Sequence, residues 1–194
     1  MSDISTSQKY NATSKIGTFT NGTTGQLYVG SDLDTYLNTT WYNTLTSTVK
    51  AAIVPESRTQ YMYKYYNKPN TPNTPTYTYQ YQYNWSDSDY KNANLTDSIL
   101  IDNRNIFALD LKDIFDYFGK VCITSNELME LWTNQTSAVS GKYWWLSSAD
   151  ADGPGGAWGV IGGSGRLISR GVEGAGAVRP AFNLDLSKIN FTKV

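Results

Sequence analysis

The 194-residue chain contains no histidine and a single cysteine. The missing histidine excludes Ser-His and Cys-His nucleophile pairs outright. The two shortages together leave too few ligands for a usual zinc site. Cys122 stands between Val121 and Ile123 in an apolar, strand-like run, where an unpaired thiol reads as core. Charge is scarce as well: Lys and Arg number 16, Asp and Glu 17, for a net charge of −1. Without a basic excess the chain lacks the footprint of a protein that neutralises nucleic-acid phosphates. No run is apolar enough to span a membrane. The first residues, MSDISTSQKYNATSK, contain no apolar segment of the kind found in a signal peptide.

What the chain has instead is Asn, Thr, Ser and Tyr, the last numbering 15. Its surface is therefore polar but weakly charged, a composition found on secreted, cell-surface and virion proteins and in antibody-like contact surfaces. The length suits one domain with a core of its own. The N-x-S/T triplets at Asn11, Asn21, Asn38, Asn84, Asn94, Asn134 and Asn190 are expected by chance at this composition and are not read as glycosylation sites.

Residues 1–15 read as a polar N-terminal arm, loose or docked on a neighbour, and residues 16–194 as one domain. In GTFTNGTTGQLYV the Asn21-Gly22 pair predicts a hairpin. Ser31 caps a predicted helix with Leu33, Tyr36 and Leu37 on one face. Leu45, Val49 and Ile53 continue that spacing up to Pro55, which ends it. The period then changes. YMYKYY and TYTYQYQYNW alternate, placing Tyr77, Tyr79, Tyr81 and Tyr83 on one face of a strand. KPNTPNTPT between them is a loop, so the expectation is a long tyrosine hairpin over about 61–85. That face either covers the core or forms an oligomer interface or ligand platform. DSILIDNRNIFALDLKDIFDYFGK combines a short strand with a helix, Thr124–Trp132 is a capped helix start, and KYWWLSS is a strand.

The stretch GPGGAWGVIGGSGRLISRGVEGAGAVRPAF, from Gly153 to Phe182, is dense in glycine. It holds neither G-x-G-x-x-G opening a helix nor G-x-x-x-x-G-K-[ST], so it does not read as a phosphate loop. Its glycines read as turns between the short strands AWGVI, GRLIS and AVRPAFNL. Trp158, Arg166, Arg170 and Glu173 then stand out as the large residues presented, with buried core an equal reading for Trp158. Asp150 and Asp152 form a D-x-D-G fragment of the type calcium loops use, but the other ligands of an EF-hand are missing and a turn is the plainer reading. No cofactor is implied. Asp110, Asp113 and Asp116 read as a solvated helix face, and Arg179 as an arginine held by structural partners.

The ending YWWLSS…AWGV…AVRPAFNL resembles a domain family of unknown function from Gram-positive bacterial surface proteins and their phages, whose members end in W-L-R-S…A-W-x-V…G-V-R-P-A-F-x-L. SDLDTYLNTTWYNTL and FGKVCITSNELMEL resemble its upstream elements, so the likeness runs from about Ile16 to Leu186. Ser147 stands where the pattern has arginine, and Ala177-Val178 where it has Gly-Val. The resemblance implies an α+β, C-type-lectin-like fold of short twisted antiparallel strands with two or three helices. It implies no catalytic residues. Trp144, Trp145, Arg179, Pro180 and Phe182 map to scaffold, and Asp150, Asp152, Trp158, Arg166, Arg170 and Glu173 to a loop-borne ligand face. The expected protein is a non-enzymatic virion or surface component, either a recognition module for host polysaccharide or surface protein, or a decoration, head-fibre or tail component acting through protein contacts. The tyrosine face would serve self-association. Neither nucleic acid nor membrane is an expected partner.

Overall fold

A computed structural model describes residues 7–63, 97–118, 143–151, 153–161 and 167–189. It is mixed α/β, mostly strand. The chain opens with β1 (Ser7–Lys9) and the hairpin of β2 (Ile16–Thr18) and β3 (Thr24–Gln26). The hairpin pairs Ile16 with Gln26 and Thr18 with Thr24, and Gly22 turns it with φ +87°. That is the left-handed region where glycine is at ease, so the Asn21-Gly22 signal was sound. Asp97 holds the turn by accepting from the Asn21 and Thr23 amides at 2.8 and 3.1 Å.

Ser31 accepts the Asp34 amide at 3.0 Å and starts α1 (Asp32–Thr35). Helix α1 runs directly into a π-helical segment (Tyr36–Trp41) and α2 (Tyr42–Thr44). Within it the Asn38 side chain donates to the Asp34 carbonyl at 3.1 Å and to the Ile106 carbonyl at 2.8 Å, a side chain inserted into the helical ladder. Thr46 caps α3 (Ser47–Ala52) through the Val49 amide at 3.3 Å. The predicted helix end moves back here. Ile53 belongs to β4 (Ile53–Val54), and Pro55 follows a strand.

Next come β5 (Glu56–Tyr63), β6 (Ser98–Arg104), β7 (Phe107–Ala108) and α4 (Leu111–Phe118). The C-terminal half supplies β8 (Tyr143–Asp150), β9 (Gly156–Ile161), β10 (Leu167–Gly171), β11 (Ala175–Ala177), β12 (Pro180–Ala181), β13 (Asn183–Leu184) and a 3₁₀ turn at Leu186–Lys188. Strand β8 is the hub. One edge pairs antiparallel with β9, which pairs with β10. The other edge is shared: β11 meets it in parallel at Trp144, and β5 meets it in parallel at Ala149 and Asp150. The sheet is thus mixed, where purely antiparallel strands were expected. Opposite Trp158 the register slips, and Leu146–Ser148 form a bulge. In β5, Tyr61 pairs with Ser98, and Met62 and Tyr63 pair with Ala149 and Asp150; the rest of the expected hairpin, residues 64–85, lies outside the described residues. Tyr77, Tyr79, Tyr81 and Tyr83 lie outside the described residues, as does the predicted Thr124–Trp132 helix.

Two further corrections follow. Residues 7–15 are built into the domain: β1 extends the sheet on β11, and Tyr10 and Asn11 are fully buried. The Tyr10 hydroxyl donates to the Ser147 carbonyl at 2.9 Å, while its ring meets Trp145 edge-on at 5.6 Å and Tyr28 at 6.3 Å. Such aromatic pairs add about 0.5–1.5 kcal/mol each beyond area burial. Buried amides stitch the same region, with Asn11 donating to Gln26 at 3.2 Å and Gln60 to the Gln26 carbonyl at 2.8 Å. Second, Asp110 and Asp113 do not sit on a solvated face. Both are buried because D-L-K-D places Asp110 at the N-cap of α4 and Asp113 three residues on. The Asp110 carboxylate accepts the Lys112 amide and Asp113 accepts the Asp110 amide, at 2.8 and 2.7 Å, a reciprocal cap. Only Asp116 faces solvent, ion-paired with Lys112.

Candidate functional site

The glycine-rich end of the chain builds its surface around Tyr143. Residues two apart share a face of a strand, so Tyr143 and Trp145 lie together on β8, their rings edge-on at 4.9 Å. Trp145 is buried and fixed by donation to the Gln8 carbonyl at 3.0 Å. Tyr143 is half-buried and lies along three glycines. A Cβ on Gly176 would fall 2.7 Å from its Cε2, on Gly174 2.7 Å from its hydroxyl oxygen, and on Gly159 3.3 Å from its Cδ2. Among the described residues, positive φ at glycine occurs at Gly22 and Gly30, not in this stretch. These three glycines therefore serve close approach more than turning. Gly153 and Gly155 keep the expected role, at a turn closed by the Gly156 amide on the Gly153 carbonyl at 2.7 Å.

Arg170 and Glu173 lie beside this ring and are exposed. The guanidinium carbon of Arg170 is 5.9 Å from the Tyr143 ring centroid, within cation–π range. The Glu173 carboxylate folds over Gly171, at the turn that Gly174 closes on the Gly171 carbonyl at 3.0 Å. Burial pushes the Tyr143 phenol up, with Arg170 pulling it down and Glu173 pushing it further up, so all three side chains share one local field. Among the described residues neither Arg170 nor Glu173 forms an ion pair. An arginine and a carboxylate left open beside a rigidly seated aromatic ring can hydrogen-bond and stack on a ligand without first breaking an internal pair.

The other expected site residues separate from this face. Asp150 ends β8 in the interior, where its carboxylate accepts from the Ser169 hydroxyl and its Cβ lies against Gly156. Trp158 is core at 1% exposed, its indole N–H directed at the Tyr63 carbonyl at 3.4 Å. Of the two readings open for Trp158, the buried one is observed, and it lies opposite the register slip between Trp145 and Ala149. Asp152 and Arg166 lie outside the described residues. Arg179 is half-buried over the Trp144 ring at 5.0 Å, and burial lowers its pKa. The residue missed from sequence is Tyr143. Its signal was the period-two Tyr-x-Trp step of β8, set between strands that carry Gly159 and Gly176.

A family model, Domain of unknown function (DUF6273), matches residues 8–186. The chain belongs to the DUF6273 family. The match begins within β1 and ends at Leu186, so it takes in the N-terminal strand together with every strand of the sheet. No curated protein and no solved structure matches this DUF6273 domain. Among the described residues no group of three or more Cys, Asp or Glu side chains is placed to hold a metal ion, and no helix is long and apolar enough to cross a membrane.

Proposed function

We propose that this DUF6273 domain is a non-enzymatic recognition module whose ligand face is the Tyr143–Arg170–Glu173 surface. The observation that carries the reading is the open pair of opposite charges beside a tyrosine seated on glycine. Support for a non-enzymatic role comes from the buried carboxylates, which are spent on structure. Asp34 binds Arg104 at 2.9 Å, Asp113 binds Arg58, and Asp150 binds Ser169. The finer fold we infer is C-type-lectin-like. Its support is the N-terminal strand closing on β11 near the end of the domain, with helices following the first hairpin. A virion or bacterial surface, with host polysaccharide or surface protein as ligand, is the setting we propose. It rests on the polar, weakly charged composition and on the resemblance of the chain's ending.

A second reading, a structural particle component held by protein contacts, has one observation in its favour. Val54, Leu184 and Leu186 are 42%, 36% and 62% exposed on the β4–β13 corner, a kind of patch that marks protein contacts. The experiment that separates the two is co-sedimentation of labelled protein with Gram-positive cells and purified wall polysaccharide, run beside Arg170→Ala/Glu173→Ala. Binding lost in the variant supports the ligand face. Absence of binding by a folded wild type, with self-association in sedimentation velocity, supports the structural component.

A further inference from the structure

Asp110 is buried at the start of α4. Four donors converge on its two oxygens. The Tyr63 hydroxyl and the Lys112 amide reach Oδ1, both at 2.8 Å; the Ser148 hydroxyl at 2.7 Å and the Tyr61 amide at 3.2 Å reach Oδ2. An ionised carboxylate offers about four acceptor positions, so the charged form accepts all four. A protonated one cannot. Its proton needs an acceptor, and the two amides have none to give. Only the hydroxyls of Tyr63 and Ser148 can turn round, and Ser148 Oγ already accepts the Leu111 amide at 2.8 Å.

The groups facing Asp110 come from each element packed on it. Tyr63 faces it from β5, and Arg58 of the same strand is engaged with Asp113. Tyr10, following β1, donates to the Ser147 carbonyl next to Ser148. Tyr28 accepts the Ala108 amide at 3.0 Å. On α4 itself Asp113 takes the Asp110 amide, and the Lys112 ammonium is turned to Asp116.

We propose that Asp110 is a proton-responsive clasp: ionised, it ties the start of α4 to β5 and β8 through four donors; protonated, it turns the Tyr63 or Ser148 hydroxyl round and resets the place where β5 and β8 meet. That meeting is short, with Met62 opposite Ala149 and Tyr63 opposite Asp150. The Tyr63 carbonyl also accepts the Ala151 amide at 2.9 Å. A change at Tyr63 is therefore carried into the residues that lead to the Gly153–Gly156 turn. Burial pushes the Asp110 carboxyl up to about 6, against the hydrogen bonds from Lys112, Ser148, Tyr63 and Tyr61 that pull it down, which puts the change within mildly acidic conditions.

The test is a pH titration of the full chain by carbon-13 NMR, following the Asp110 carboxyl carbon together with the amides of Ala149, Asp150 and Ala151. The expected result is one shared midpoint near about 6, with those amides flat between about pH 5 and 7 in Asp110→Asn. Tyr63→Phe, which deletes one donor to the ionised form, should raise the midpoint by roughly half a unit to one unit; it keeps the test decisive if Asp110→Asn does not fold. A carboxyl midpoint below about 4.5, amides that titrate equally in Asp110→Asn, or a midpoint indifferent to Tyr63→Phe would overturn the clasp.

Discussion

If the glycines under Tyr143 serve close approach, alanine should be costly there and harmless where the space is open. Gly176 is the sharpest case. An alanine methyl would lie 2.7 Å from Tyr143 Cε2 and 2.8 Å from Trp145 Nε1. Tyr143 can swing outward, but Trp145 is buried and tied to the Gln8 carbonyl. Overpacking of this kind costs about 1–3 kcal/mol, and loss of the indole bond adds about 1 kcal/mol. The gain of alanine over glycine in a strand returns roughly 0.5–1 kcal/mol. Gly176→Ala should therefore lose about 2–3 kcal/mol net. At Gly155 nothing lies within 4 Å of the added methyl and φ is not positive, so Gly155→Ala should be neutral or gain up to about 1 kcal/mol. Urea unfolding of both variants, with Tyr143→Ala and the Tyr143→Ala/Gly176→Ala double variant completing a cycle, measures this directly. The double variant should recover part of the loss, because one of the two clashing rings is gone. Equal losses at Gly155 and Gly176, or a Gly176→Ala protein as stable as wild type, would refute the packing account.

Arg104→Ala leaves the buried Asp34 carboxylate without the guanidinium that contacts it at 2.9, 3.1 and 3.0 Å. Because Arg104 is partly exposed, the expected loss is at the low end for a broken buried pair, about 2–3 kcal/mol by urea unfolding, with Arg104→Lys recovering less than half. Asp110 gives a pH signature. Its folded carboxyl, raised to about 6 from 3.8 by burial, binds a proton more tightly than the unfolded chain does. Its contribution to stability is therefore complete below about pH 4 and is lost as pH rises through about 6, by up to about 3 kcal/mol. The stability gap between wild type and Asp110→Asn should shrink accordingly between those limits. Gly22→Ala, which forces φ +87° on an alanine, should cost about 1–2 kcal/mol, while Gly22→Asn should cost less, as thermal melts of both would show. Arg170→Ala/Glu173→Ala should change stability by no more than about 0.5 kcal/mol, whatever its effect on binding.

Local chemistry was legible in the sequence where one short stretch decides it. Asn21-Gly22, Ser31 and the strand-like KYWWLSS each act over a few residues, and each appears in the fold. The misreadings come from pairs that are distant or geometrically special. Three aspartates at a spacing of three imply a solvated stripe only if all three lie inside the helix. With Asp110 at the cap, the same spacing buries two of them. The parallel contacts of β8 join residues 87 and 33 positions apart, and a strand buried on both faces carries no alternation to reveal its partners. For Trp158 the sequence left presented and buried readings level, and AWGVI gives no hint of the register slip opposite it. Arg170 and Glu173 were legible as exposed. The ring that joins them was not, since glycine in a list of residues says nothing of what rests upon it.

The shared edge of β8 has a consequence for how this domain can vary. Between Trp144, where β11 arrives, and Ala149, where β5 arrives, no strand among the described residues pairs with that edge. The seam is closed by single groups: the Ser147 amide donates to the Leu109 carbonyl at 2.9 Å, and the Tyr10 hydroxyl takes the Ser147 carbonyl. Along that edge the sheet is thus divided, one part carrying β11 and β1 and the other β5 and β6, while β9 runs beside both on the opposite edge. Residues on one side can be replaced without disturbing the ladder on the other, so long as Tyr10 and the Leu109 backbone keep the seam shut. The proposed ligand residues straddle this division, Tyr143 beside the Trp144 end and Arg170 in register, through Ala157, with Ala149, so variation at the two is coupled through β9.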